Sequence, residues 1–460
     1  MNFNLINNLY LITGIVIVFL STYFYVKAAR TLNPLKIGPI SGAFYFLLIL
    51  SVIGTTFLML GYSHQAMAFV RHPTSVVVAY FSTILLFLAF PIVSLIIFKI
   101  FRYDPIEHEE YLKKDTLIHK NSNIEFIALV IASLICLLAV LYTFLKIGIN
   151  NSPILNLIKG TDSETLARLR IMAGNEFPGN QYIKNIFAVA LTPFISFITY
   201  IYFRKTKKKK WLALFIIMFL ASNLISFYNL QKAPIIIYWV SLILLGIYYG
   251  DKIPVILVAG LFVFAVIAII LMYRFIVGLS FDQIFSLDGP INRILFTTPS
   301  GYFLHIEIFT HRAGLLNGKS IPNPIHKIIF GDSEIIRSGK IVMQEVNFLG
   351  ARAGTSGVYN GLFLGEAYAN YGPVGLLISS IHVPILFALL NIIFNRIKKT
   401  PITIAMFTYF TMNFLMTLYG GYFDYVFSSI WTIIIIVSLA MTLFIKIGSK
   451  IKFFNKKQFK

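Results

Sequence analysis

The chain has 460 residues, of which 58% are hydrophobic and 12% charged. That balance excludes a water-soluble globular domain and leaves a membrane protein. The formal net charge of +21 would point to nucleic acid in a soluble chain. In a membrane protein the plainer source is lysine that sets orientation, and the distribution of charge favours that source, with no nucleic-acid partner expected.

The first apolar run, Leu9–Tyr25, has no basic region ahead of it and no small-residue cleavage pattern after it, so it reads as a retained span. Runs such as Val76–Phe98, Phe126–Leu145 and Ile256–Met272 are long enough to cross a hydrocarbon core at about 1.5 Å per helical residue. The alternating pattern of a strand barrel is missing, so the expected fold is an all-α polytopic bundle forming a single integral membrane domain over 1–460. About eleven spans are expected, near 8–27, 41–61, 76–100, 124–147, 186–203, 211–229, 233–249, 254–278, 358–394 with an interruption, 401–420 and 425–446. Cys136 stands alone in an apolar run, which excludes an internal disulfide and a cysteine-based metal site.

Orientation follows from the basic loops. The block Arg204-Lys205-Thr206-Lys207-Lys208-Lys209-Lys210, the charged 101–122 loop, Arg396/Lys398/Lys399 and the tail Lys446–Lys460 share one side by span counting. The positive-inside rule makes that side cytoplasmic, with the N-terminus outside and the C-terminus inside. Two large segments then lie outside, 148–185 and 279–356. Loops of that length usually carry function. The longer one has its own apolar residues, among them Phe281, Phe285, Ile294, Phe296, Tyr302 and Phe303, and is expected to form short amphipathic helices on the membrane face.

Lysine obeys this rule and arginine does not. Arg71, Arg168, Arg170, Arg274, Arg293, Arg312, Arg337 and Arg352 all fall outside. A guanidinium is a planar fork that grips phosphate with two hydrogen bonds, so arginines on the disfavoured face point to a phosphate-bearing ligand. The plainer reading is pairing with local carboxylates and lipid headgroups.

In the first loop, Thr161-Asp162-Ser163-Glu164 is a capping box that starts a helix running to about Ala173 and ending at Gly174. Arg168 and Arg170 lie two residues apart, on nearly opposite faces, so only one points easily into a cleft. After the second loop, Gly357, Gly361 and Gly365 recur every four residues and make a stripe for close helix packing. Glu366 follows at once, and an ionisable residue at membrane depth is costly unless it works. Asn370 lies one turn on, and Tyr371-Gly372-Pro373 breaks the helix. The bland alternative for Glu366 is a structural ion pair with a loop arginine. His305, His311 and His326 are all external; no ligand spacing suggests a metal, and His311 is the second candidate for a base after Glu366.

The stretch Leu364-Gly365-Glu366-Ala367-Tyr368-Ala369-Asn370-Tyr371-Gly372-Pro373-Val374-Gly375 resembles the segment that follows the large external loop in O-antigen and capsule repeat-unit polymerases of the Wzy type. The eleven-span layout, the two external loops and the spacing from Arg168 to Gly179 are similar as well. The resemblance implies a C-type glycosyltransferase bundle in the bacterial cytoplasmic membrane, acting on undecaprenyl-diphosphate-linked oligosaccharide, with no cofactor and no metal. A chain-length regulator of the same pathway is an expected partner. On that reading Arg168, with Arg170, Arg293, Arg312 and Arg352, steadies the leaving diphosphate. Tyr359 and Asn370 contact the glycan, and Glu366 or His311 takes the proton. Val358-Tyr359-Asn360 stands where the related ligases would carry a His-Asn pattern. A ligase of the same fold and a flippase for lipid-linked glycans remain the alternatives; an acyltransferase would need a membrane histidine, for which only His382 offers itself.

Overall fold

The computed structural model describes residues 3–457 except 63, 119–121, 175, 255, 257–259, 261, 262, 264, 265, 268, 269, 272, 286–288 and 353–355. Among the described residues every regular element is a helix. Nine helices there are long and apolar enough to cross a membrane, where about eleven were expected. Two expected spans account for the difference. Eleven of the 25 residues in the 254–278 span lie outside the described residues, and the helix at 401–420 closes after 17 residues, as Pro401–Thr417. The helices keep large apolar side chains on their outer surfaces, including Phe19, Leu138 and Leu145. Water would penalise such faces, whereas hydrocarbon accepts them.

The chain divides into two compact units. The first comprises residues 1–109, 280–395 and 413–428. Its centre is aromatic: the Tyr25 ring lies 5.2 Å from both Phe44 and Phe87, and Phe90 lies 5.1 Å from Phe387. One end of this unit gathers its charged turns, where Lys36 pairs with Glu109 at 3.3 Å and His108 bonds Asn395. The other end carries the 64–72 turn, the 312–346 segment and the 418–428 turn.

The helix Pro290–His311 departs from the expected loop. Instead of lying on a surface, it runs through the unit, with residues 302–309 buried throughout. Short helices at Ile325–Phe330, Ser338–Val346 and Phe348–Arg352 follow it.

The long helix Leu362–Arg396 is two helices joined at a kink, because Gly372 sits at φ 58°, ψ −142°. Only glycine takes that conformation cheaply, and Pro373 could not have continued the ladder in any case. Carbonyls freed before the kink are not wasted: Ala369 O accepts the Leu316 N–H at 2.9 Å and Asn370 O the Asn317 N–H at 3.1 Å. The break therefore docks the 316–320 loop.

The second unit comprises residues 110–279, 396–412 and 429–460. Its core joins Ala139, Val140, Phe177, Ala188, Ile225 and Tyr228. At one end the basic segments meet in space. Arg204 grips Asp251 with two bonds of 2.7 and 2.6 Å, Lys205 reaches Asp115, and the buried Lys399 ammonium donates to Tyr111 O at 2.9 Å. Burial brings the Lys399 pKa down to about 8. Within this unit the 110–118, 204–210 and 396–399 segments thus share one end. At the other end, helix Ser163–Gly174 forms where the capping box predicts it, and Asp162 Oδ1 accepts the Thr165 N–H at 2.9 Å.

Candidate functional site

The helix Pro290–His311 and the start of Leu362–Arg396 approach more closely than side chains normally permit. A Cβ on Gly301 would sit 2.2 Å from Asn360 O, and one on Gly361 would sit 2.6 Å from His305 Nδ1 and 2.7 Å from Gly301 O. A Cβ on Gly365 would meet the His305 ring at 3.0 Å. The glycine stripe therefore makes room for a histidine. Gly357, the first member of the expected stripe, faces open space and takes no part.

His305 Nδ1–H donates to Gly301 O at 2.7 Å, which fixes the tautomer and leaves Nε2 as the acceptor nitrogen. Burial lowers its pKa to about 4, so the ring is neutral at pH 7. Gly361→Ala would drive a methyl into backbone that cannot swing away. We expect it to destabilise the protein by about 1–3 kcal/mol, the range for overpacking. The check is the midpoint of detergent-solubilised thermal unfolding; an unchanged midpoint would show that the two helices can part freely.

Beside this contact lies a cavity of about 490 Å³, lined within the first unit by His305, Ser320, Arg337, Asn360, Glu366, Asp424 and the 420–421 glycines, among others. Its exposed members, Arg337, Asn360 and Asp424, stand at the mouth; buried His305 and Ser320 and half-buried Glu366 lie deeper. Glu366 Oε2 accepts the Phe423 N–H at 3.0 Å. Any Cβ on Gly421 would sit 2.7 Å from that same oxygen, so the glycine admits the carboxylate. One guanidinium and two carboxylates share the space with neutral hydrogen-bonding groups. This combination suits sugar hydroxyls, with one fork for an anionic oxygen.

The other expected residues are placed as follows. His311 lies off the cavity, stacked on His72 with ring centroids 3.7 Å apart. Asn370 is buried and fully engaged: its amide nitrogen donates to Glu366 O and Ser320 Oγ, and its oxygen accepts the N–H groups of Gly318 and Ser320. It holds the loop that carries Ser320 rather than facing the cavity. The Tyr359 hydroxyl lies 3.0 Å from Ser300 Oγ, while its neighbours Val358 and Asn360 line the cavity. Arg312 is tied to Phe69 O, Glu345 and Glu307. Arg352 is exposed at the end of its short helix, and the Arg293 side chain lies outside the described residues. In the second unit, Arg168 pairs with Glu164 at 2.7 Å on an exposed face, while Arg170 donates to Asn229 O from the other face.

Arg337 and Asp424 were not singled out from sequence. Asp424 had a readable signal, a lone acid at the start of an apolar run. Arg337 had none beyond membership of the external arginines. No family model, no curated protein and no solved structure matches the chain. The geometry of the cavity therefore carries the functional argument.

Proposed function

We propose that the protein is an inverting glycan polymerase that joins polyprenyl-diphosphate-linked oligosaccharide repeat units on the outer face of the bacterial cytoplasmic membrane. The observation that supports this reading best is the Glu366 carboxylate, fixed by the Phe423 N–H in a cavity with one arginine and several sugar-compatible groups. A hydroxyl of the incoming repeat attacks the anomeric carbon of the chain carried on lipid diphosphate. The carbon–oxygen bond to the diphosphate breaks, its electron pair leaves with the diphosphate, and the hydroxyl proton passes to Glu366. Arg337 steadies the charge that develops on the leaving oxygens. Asp424, Asn360 and His305 Nε2 take hydrogen bonds from the sugars. The apolar outer faces of the helices accommodate the polyprenyl tails.

Purified protein in liposomes, supplied with lipid-linked repeat alone, should build a ladder of longer lipid-linked chains and release polyprenyl diphosphate. A flippase would move the repeat across the bilayer without lengthening it, and a ligase would need a separate acceptor lipid. Either result removes the polymerase reading.

The orientation has its own test. Single cysteines at Glu164 and Lys319, both exposed, should react with an impermeant thiol reagent in intact cells, and one at Lys208 should not. The native Cys136 is buried and adds little background. Labelling at Lys208 with protection at Lys319 would invert the topology and move the cavity to the cytoplasmic side.

A further inference from the structure

We propose that His72, Glu307 and His311 form a binding site for a divalent transition-metal ion of the zinc class. The site is independent of the cavity reading, because Glu307 lies two residues from His305 and so on nearly the opposite face of the same helix. Glu307 and His311 are four residues apart on Pro290–His311 and share one face. His72 comes from far away in sequence, at the N-cap position of the Pro73–Ile100 helix. Donor atoms of all three groups lie within 4.8 Å of one another.

The carboxylate is held ready. Its side chain is fully buried, and Oε2 accepts the Ser75 hydroxyl at 2.9 Å and the His72 N–H at 3.2 Å. That leaves Oε1, which faces His72 Nδ1 at 2.8 Å. A proton bridges that gap in the metal-free protein. Bonds of about 2.0–2.2 Å from zinc to nitrogen and oxygen span a donor separation of about 3 Å, so a dication replaces the proton with little movement. The two imidazoles are exposed and stacked at 3.7 Å with a 20° tilt, so binding turns the rings until their in-plane lone pairs converge on the ion.

Charge favours the exchange. Glu307 and Glu345 both contact Arg312, so two carboxylates meet one guanidinium beside the two imidazoles. Arg312 is anchored elsewhere, donating to Phe69 O at 2.6 Å, and its 3.5 Å contact with Oε1 is the weakest of its bonds. Two imidazoles and one carboxylate select zinc-class ions over magnesium or calcium, which take oxygen ligands. Three protein ligands leave a fourth position open to water or an anionic oxygen. Sequence spacing hid this site because its first ligand precedes the others by more than two hundred residues.

The test uses the full-length protein in lipid nanodiscs, stripped with chelator and titrated with Zn²⁺ or Co²⁺ alone. One equivalent of metal should bind, and Co²⁺ should give the visible absorption of a low-coordinate nitrogen and oxygen site. His72→Ala and His311→Ala should each weaken binding about 100-fold or more, while His382→Ala should match the parent. Both changed histidines are exposed, so unchanged gel-filtration and circular-dichroism profiles are expected alongside the loss. Equal binding by the parent and the His72→Ala/His311→Ala double variant overturns the site, as does a parent that binds less than one equivalent with no Co²⁺ spectrum.

Discussion

Glu366→Gln should give a folded, membrane-inserted protein that binds lipid-linked repeats and makes almost no polymer. The amide keeps the shape of the carboxylate, and its oxygen still accepts the Phe423 N–H that now fixes Oε2. What it loses is the capacity to take a proton from the attacking hydroxyl. General-base losses run to about 10²–10⁴-fold in rate, so cells carrying the variant should display single repeat units where the parent displays long chains. Proteoliposome assays should separate the effect on rate from binding, with lipid-linked repeat retained on the variant at near-parental affinity. Two controls decide between candidates. If Glu366→Gln makes full-length polymer and His305→Gln does not, the base is the histidine whose Nε2 stands in the same cavity. If His311→Ala alone abolishes polymer, the base lies at the His72 stack and the cavity is not the reaction centre.

Much of this architecture could be read from sequence where the signal was local. The break at Tyr371-Gly372-Pro373 is there because glycine and proline act on their own backbone, whatever surrounds them. The helix after Asp162 is there because its cap is made by neighbours. The glycine stripe was half legible: repetition every four residues announced a close contact, but not that Gly361 and Gly365 cradle the His305 ring while Gly357 touches nothing. Burial of Pro290–His311 was not legible, since its polar residues lower its hydropathy. Those same residues, His305 on one face and Glu307 on the other, find partners from the 361–365 and 72–75 segments. The same limit separated His305 from His311 as base candidates. Periodicity reports which residues share a face and is silent about what lies opposite that face.

Arg337 is the second residue on which a large effect is expected. Sequence offers the outer-face arginines only as a set, and the structure sorts them by what they already hold. Arg312 is bound to a backbone carbonyl and two carboxylates, and Arg168 to Glu164 on an exposed face. Arg337 stands at the mouth of the cavity that contains Glu366, at the N-cap position of the Ser338–Val346 helix. In the proposed reaction the leaving group is a diphosphate, which departs without a proton if a cation meets its developing charge. Removing one such donor typically costs about 10²–10³-fold in turnover, and Arg337→Ala should fall in that range. Arg337→Lys is the sharper variant, because it keeps the charge and loses the two-pronged geometry that matches phosphate oxygens. It should recover only part of the rate, with the loss in turnover exceeding the loss in repeat-unit affinity. Arg168→Lys, measured in parallel at matched protein levels, should lose less than Arg337→Lys. The reverse ranking would return the diphosphate to the 148–185 loop and leave Arg337 as a sugar contact. Full activity in both lysine variants and both alanine variants would remove the guanidinium from the mechanism altogether.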